Sequence, residues 1–275
     1  MEPLGGGITN HNFKVAVDSE LFVLRIGGKD TELLGIDRDI EYAAARAAAA
    51  VGVGPEVTAF VEPEGYLVTR FVDGRPIPPE EMRRPEAIEC VASVLRRFHE
   101  SPPIPGGFNS FRVVEVYRDT AQQHGVEMPA SFEALKALTD EIESVRGPQP
   151  LCPCHNDLLN ANFLDEDGQI RIVDWEYAGM GDRFFDLANF SVNHEFGDDE
   201  NEALLEAYFG AVRSLDLAAL HLMRFMSDFR EAMWGVVQQS ISELDFDFRA
   251  YANEHLDRLE QTAATPEFQE ALRAG

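Results

Sequence analysis

Between Cys154 and Glu176 the chain has few ways to fold. The runs Asn162-Phe163-Leu164-Asp165 and Gln169-Ile170-Arg171-Ile172-Val173 flank the turn signal Glu166-Asp167-Gly168, which predicts a β-hairpin. A hairpin returns its end to its beginning, so Asn162 and Asp174 are expected side by side. Ahead of the first strand stands His155-Asn156-Asp157-Leu158-Leu159-Asn160-Ala161, and behind the second stands Asp174-Trp175-Glu176. An acid, an amide five residues later and a second acid beyond the hairpin are thereby gathered at one place.

That set of residue types suits phosphoryl transfer. The transferred group passes through a loose transition state with spread negative charge, so catalysis is mostly positioning and neutralisation. One carboxylate is needed beside the nucleophilic hydroxyl, and hard oxygen ligands are needed for magnesium on ATP. Asp157 is expected in the first role, as the catalytic base. Asn162 and Asp174 are expected to supply the metal oxygens.

The rest of the chain divides by its periodicity. Gly5-Gly6-Gly7-Ile8-Thr9-Asn10 is followed by the apolar runs 12–17 and 21–26, which read as strands around a glycine-rich loop. Glycines there let backbone amides approach an anion closely, so Gly6, Gly7, Thr9 and Asn10 are candidates for binding nucleotide phosphates. Residues 37–51, rich in alanine, predict a helix stopped by Gly52 and Pro55. Strands are expected at 57–61 and 66–71, with adenine lying against backbone near 69–72. Helices are expected at 85–100, 111–124, 131–145, 183–194, 199–212, 217–239 and 246–260. Strands first and helices afterwards make an α+β fold.

Composition narrows the partners. The formal charge is −26, with 49 acidic and 23 basic residues, and the only lysines are Lys14, Lys29 and Lys136. Such a surface repels nucleic acid and anionic membranes and favours cations, including an amine substrate. Adaptation to high salt is a second expectation, which an unchanged stability from low to multimolar KCl would exclude. The N-terminus lacks a signal pattern and no apolar run approaches 18 residues, so no membrane insertion and a cytoplasmic location are expected. Cys90, Cys152 and Cys154 are an odd set and are expected as reduced thiols.

From His155 to Asn189, including Val173-Asp174-Trp175-Glu176-Tyr177-Ala178-Gly179 and Arg183-Phe184-Phe185-Asp186, the sequence resembles the choline and ethanolamine kinases. These belong to the aminoglycoside-phosphotransferase-like group, and the late run Trp234-Gly235-Val236-Val237-Gln238 extends the likeness. The resemblance implies a protein-kinase-like two-lobe fold, with an antiparallel β-sheet lobe carrying one main helix and a mostly helical C-terminal lobe. Residues 1–72 would be the nucleotide-binding lobe, 73–80 the hinge and 81–275 the catalytic and substrate-binding lobe. The implied reaction is transfer of the γ-phosphoryl of ATP to choline, ethanolamine or a similar amino alcohol. Thiamine, an aminoglycoside or a sugar hydroxyl are alternative acceptors, a non-catalytic nucleotide-binding module is a further alternative, and a homodimer is admitted.

The resemblance also implies residue roles. Arg25, on the third strand, would grip the phosphates and pair with Glu41 on the main helix. Trp234 aligns with one of two tryptophans that cage the ammonium group in eukaryotic choline kinases, and Glu231 stands where the other would be. With Tyr251, Glu176 and Glu195, these residues form the expected substrate pocket. Asp186 is expected as structural support. Asn156 replaces the Arg that precedes the catalytic Asp in protein kinases, so control by a phosphorylated activation loop is not expected.

Overall fold

The structure is a computed structural model that describes residues 1–5 and 10–274. The loop residues Gly6, Gly7 and Thr9 therefore lie outside the described residues. The chain forms two compact units, residues 1–107 with 152–181, and residues 108–151 with 182–275.

The first unit is built on a five-stranded antiparallel sheet. Its strands are β1 (Glu2–Leu4), β2 (Asn10–Val17), β3 (Glu20–Gly27), β4 (Val57–Val61) and β5 (Tyr66–Arg70), in the order β1-β2-β3-β5-β4. Between β3 and β4 runs α1 (Arg38–Ala50). Asp37 caps it, its carboxylate accepting from the backbone N–H groups of Asp39 and Ile40. Small side chains let the helix lie close, so Ala44, Ala45 and Ala48 are buried and Tyr42 stacks on Phe60 of β4 at 4.6 Å. After β6 (Arg75–Pro76), α2 (Pro79–Met82) and α3 (Pro85–His99), this unit resumes at β7 (Leu151–Cys154).

The predicted hairpin is present as β8 (Phe163–Glu166) and β9 (Gln169–Ile172). Asp167 and Gly168 both have positive φ, 52° and 83°, which matches the twist a two-residue turn between antiparallel strands requires. The register pairs Phe163 with Ile172, both fully buried, and β6 adds to the outer edge of β8. Ile172 N–H donates to Val53 O at 3.0 Å and Arg171 Nη1 to Gly52 O at 2.8 Å, so the hairpin hangs from the C-terminal end of α1. Beyond it, β10 (Gly179–Asp182) pairs with β7, an element the sequence reading does not contain.

The second unit is helical. Its members are α4 (Ser110–Gln123), α5 (Phe132–Arg146), α6 (Arg183–Asn193), α7 (Asp198–Phe209), α8 (Ser214–Ile241), α9 (Phe248–Ala263) and α10 (Pro266–Ala274). The six other helices all pack on α8, whose residues from Leu222 to Gln238 are buried apart from Arg224. The sequence reading assigns nothing to 266–274. That helix is only nine residues long, and it exists by burying Phe268, Ala271 and Leu272 against its neighbours. Helix α7 stops at Gly210, whose φ of 80° ends it two residues before the expected 212. No helix among the described residues is long and apolar enough to cross a membrane.

Candidate active site

The segment from β7 to β8 is fixed mainly through its backbone. Asn156 and Asp174 take left-handed φ angles of 65° and 68°, which short polar side chains tolerate. His155 Nε2 lies 3.0 Å from the Val173 carbonyl, and its Nδ1 lies 3.2 Å from the N–H of Asp157. A carbonyl only accepts and an amide N–H only donates, so Nε2 carries the hydrogen and Nδ1 accepts. Trp175 braces the ring at 4.6 Å, packs on Phe98 at 4.5 Å, and donates from Nε1 to Ile172 O. The Asp157 carbonyl in turn accepts from Leu159 N–H at 3.0 Å and from Asn162 Nδ2 at 2.8 Å. Asp157 is therefore clamped on both sides of its Cα.

Asn162 and Asp174 meet as the hairpin requires. Val173 N–H donates to Asn162 O at 3.0 Å, which extends the ladder one step past β9. Because Asn162 directs Nδ2 at the Asp157 carbonyl, its Oδ1 is the end left for a hard cation. With the Asp174 carboxylate this donor set fits magnesium, which takes oxygen ligands.

Behind Asp174 lies a chain of alternating charges. Arg25 on β3 pairs through Nη1 with Asp174 Oδ1, and with Glu41 Oε1 at 2.8 Å. Arg38 at the start of α1 meets the other Glu41 oxygen at 2.7 Å and Glu176 Oε2 at 3.4 Å. Burial opposes the charge on Arg25, but Asp174, Glu41 and Glu176 outweigh it and raise its pKa. Burial, reinforced by the Asp174 charge, pushes Glu176 up to about 8 against the pull of Arg25.

A cavity of about 350 Å³ opens on this cluster. Val23, Leu67, Phe71 and Val72 line its apolar part, and Arg25, Glu41, Asn162 and Asp174 its polar part. One apolar slot with convergent charges at one side is the form of a site for a flat ring bearing phosphates.

Two of the residues expected in the substrate pocket, Glu176 and Glu231, have partners within the protein. The Glu176 carboxylate accepts from Asn10 Nδ2 at 2.7 Å and faces Arg38, within the charge cluster. Glu231 pairs with the adjacent Arg230 and accepts from Tyr251 OH at 2.8 Å. Trp234 and Tyr251 do come together, their rings 5.7 Å apart at 70°, and the Phe248 ring lies 5.8 Å from the indole. Glu195 is exposed just past the C-terminal end of α6, with a φ of 53°. Asp186 is fully buried on α6. Arg38 escaped the sequence reading. Its only signal there is a position three residues before Glu41 on one helix face.

An antiparallel sheet with one main helix, a hairpin carrying Asn162 and Asp174, and a helical second unit define a protein-kinase-like fold. The choline kinase LicA from Streptococcus pneumoniae shares it with a TM-score of 0.80 over 96% of this chain and 94% of that one, at 21% identity. Residues 1–204 match the choline/ethanolamine kinase family, and the chain belongs to that family. A choline/ethanolamine kinase family protein from Mesorhizobium loti is 34% identical, with a TM-score of 0.85 over 98% of this chain and 91% of that one. A probable ethanolamine kinase from Arabidopsis thaliana is 25% identical over 91% of this chain and 76% of its own length. Membership makes phosphotransfer the class of activity.

Proposed function

We propose that this protein transfers the γ-phosphoryl group of ATP to the hydroxyl of choline, ethanolamine or a similar small amino alcohol. One observation carries the reading. Asp157, Asn162 and Asp174 are tied to one another by the hairpin, and Asp174 joins Arg25 and Glu41 at the cavity wall. Residues 1–72 then act as the nucleotide lobe, 73–80 as the hinge and 81–275 as the catalytic and acceptor lobe. Gly6, Gly7, Thr9 and Asn10 contribute to binding the phosphates.

Each residue has a distinct task in that reaction. The Asp157 carboxylate orients the acceptor hydroxyl and takes its proton as the oxygen bonds to the γ-phosphorus and the bond to the β-phosphate bridge breaks. Arg25 offers a planar fork to phosphate oxygens, held in direction by Glu41. Asn162 and Asp174 would hold magnesium, which when bound would neutralise phosphate charge. Trp234 and Tyr251 present ring faces to the cationic end of the acceptor. With ATP as donor the reaction belongs in the cytoplasm, and its product is a phospholipid headgroup precursor.

The test is ADP release with choline, ethanolamine, thiamine and aminoglycosides as acceptors. Turnover is expected with an amino alcohol and is abolished by Asp157→Ala and by Asp174→Ala. Retained turnover in either variant refutes the assignment. Tight ADP binding without response to any acceptor would instead support a binding module.

A further inference from the structure

Arg38 sits in a slot shaped for its guanidinium. Nη1 donates to Glu41 Oε2 at 2.7 Å and reaches Glu176 Oε2 at 3.4 Å, while Nη2 donates to Asn10 Oδ1 at 2.9 Å and to Thr31 Oγ1 at 3.0 Å. Asn10 closes the ring by donating from Nδ2 to the same Glu176 oxygen at 2.7 Å. Two glycines distant in sequence leave the room. A Cβ on Gly27 would stand 2.9 Å from Nη2 and 3.0 Å from Nε of Arg38, and one on Gly65 would stand 3.1 Å from its Cβ. Gly27 is the last residue of β3, the strand that carries Arg25.

The sharing of Glu41 gives Arg38 its leverage. One carboxylate oxygen meets Arg25 at 2.8 Å and the other meets Arg38 at 2.7 Å, so the Arg38 bond sets the rotation of the group that aims Arg25. Asn10 is the first residue of β2, and Glu176 lies two residues after Asp174. Building on the phosphotransfer reading, we propose that Arg38 is a positioning residue that couples Asn10, at the start of β2, to the Asp174–Glu176 segment and aims Arg25 through Glu41. Only a planar fork reaches all four partners, since an ammonium is a single point charge.

The experiment compares wild type, Arg38→Met, Arg38→Lys, Gly27→Ala and the Gly27→Ala/Arg38→Met double variant. Steady-state kinetics would be read together with ADP–magnesium affinity by calorimetry. Losing one charge-assisted hydrogen bond commonly changes binding at least about tenfold. Arg38→Met should therefore raise the KM for ATP and weaken ADP binding by about that factor, with the acceptor KM within twofold of wild type. Arg38→Lys should not restore it. Gly27 lies outside the left-handed region, so alanine there meets no backbone strain and acts only by displacing the guanidinium. It should shift the same constants in the same direction, and the double variant should be no worse than Arg38→Met.

The coupling is overturned if nucleotide and acceptor constants rise together, if neither moves, if lysine rescues, or if the two substitutions multiply. Should Arg38→Met fail to fold, Arg38→Lys and Gly27→Ala carry the comparison. Wild type that binds ADP but phosphorylates no acceptor sinks the phosphotransfer reading alone, because the ADP affinities still test the ring. Wild type that does not bind ADP sinks both.

Discussion

Gly235 lies in the middle of α8, where exchange for alanine ordinarily stabilises a helix by about 1 kcal/mol. Here the opposite is expected. A Cβ at Gly235 would stand 2.9 Å from Tyr251 Cδ1 and 3.2 Å from both the Cβ and the backbone N of Ala252. Ordinary contact begins near 3.4 Å, so the ring must retreat by about 0.5 Å and the α9 backbone by about 0.2 Å. Tyr251 has little freedom to do so, because its hydroxyl is bonded to Glu231 at 2.8 Å and its ring abuts Trp234 at 5.7 Å. Forcing a methyl into a filled contact costs about 1–3 kcal/mol. Set against the helix gain of about 1 kcal/mol, Gly235→Ala should destabilise by about 1 kcal/mol. Urea denaturation would show it as a lower midpoint at unchanged slope. In a Tyr251→Ala background the penalty should shrink, since the clashing ring is gone, and the double-mutant cycle reads that coupling directly. On the proposed function, the acceptor KM should rise while the KM for ATP stays constant. Stabilisation by the full helix gain would refute the close approach of α8 and α9, and additive effects of the two substitutions would refute the role of the ring.

Two further expectations follow from buried charge. Burial lowers His194 to about 4 from the ordinary 6.5, against the hydrogen bond to Phe190 O, so the folded chain keeps it neutral. The unfolded chain takes up the proton first as pH falls, so this contribution is whole well above pH 6.5 and is lost between 6.5 and 4. It amounts to roughly 2 kcal/mol between pH 7 and pH 5, and His194→Gln should flatten stability by that much. An identical pH profile in wild type and variant would contradict it. Arg25→Met should cost about 3–5 kcal/mol, because Glu41, 2% exposed, and Asp174 lose their shared partner. Chemical denaturation together with ADP titration checks it, and a loss under 1 kcal/mol would mean the charges are solvated.

Legibility in the sequence followed how local each signal is. The hairpin was readable because Asp167-Gly168 and the flanking apolar runs lie within twelve residues, and its register then brings Asn162 to Val173 without further information. Helix α1 was readable to within a residue at each end because Asp37 caps it and Gly52 follows it. The charge cluster was not readable in the same way. Whether Glu176 faces a substrate or Arg38 depends on Asn10, 166 residues away, and the slot for Arg38 depends on Gly27 and Gly65, which look like ordinary turn residues. The partners of Glu231 were hidden for a similar reason, since Tyr251, which donates to one of its oxygens, lies twenty residues away on α9.

The two ends of the proposed reaction are therefore held by different kinds of force. Around Asp157 and Asp174 the bonds run largely to backbone atoms: His155 to the Val173 carbonyl, Asn162 to the Asp157 carbonyl, Ile172 to Val53. Each of these bonds takes a backbone carbonyl as its acceptor, so the geometry follows the path of the chain. On the proposed function the acceptor's cationic end meets side chains of α8 and α9, where Tyr251 touches both Trp234 and Glu231 and the close approach of the helices rests on Gly235. On the proposed function, variants selective for one amino alcohol should be sought among the side chains of α8 and α9, not at the hairpin.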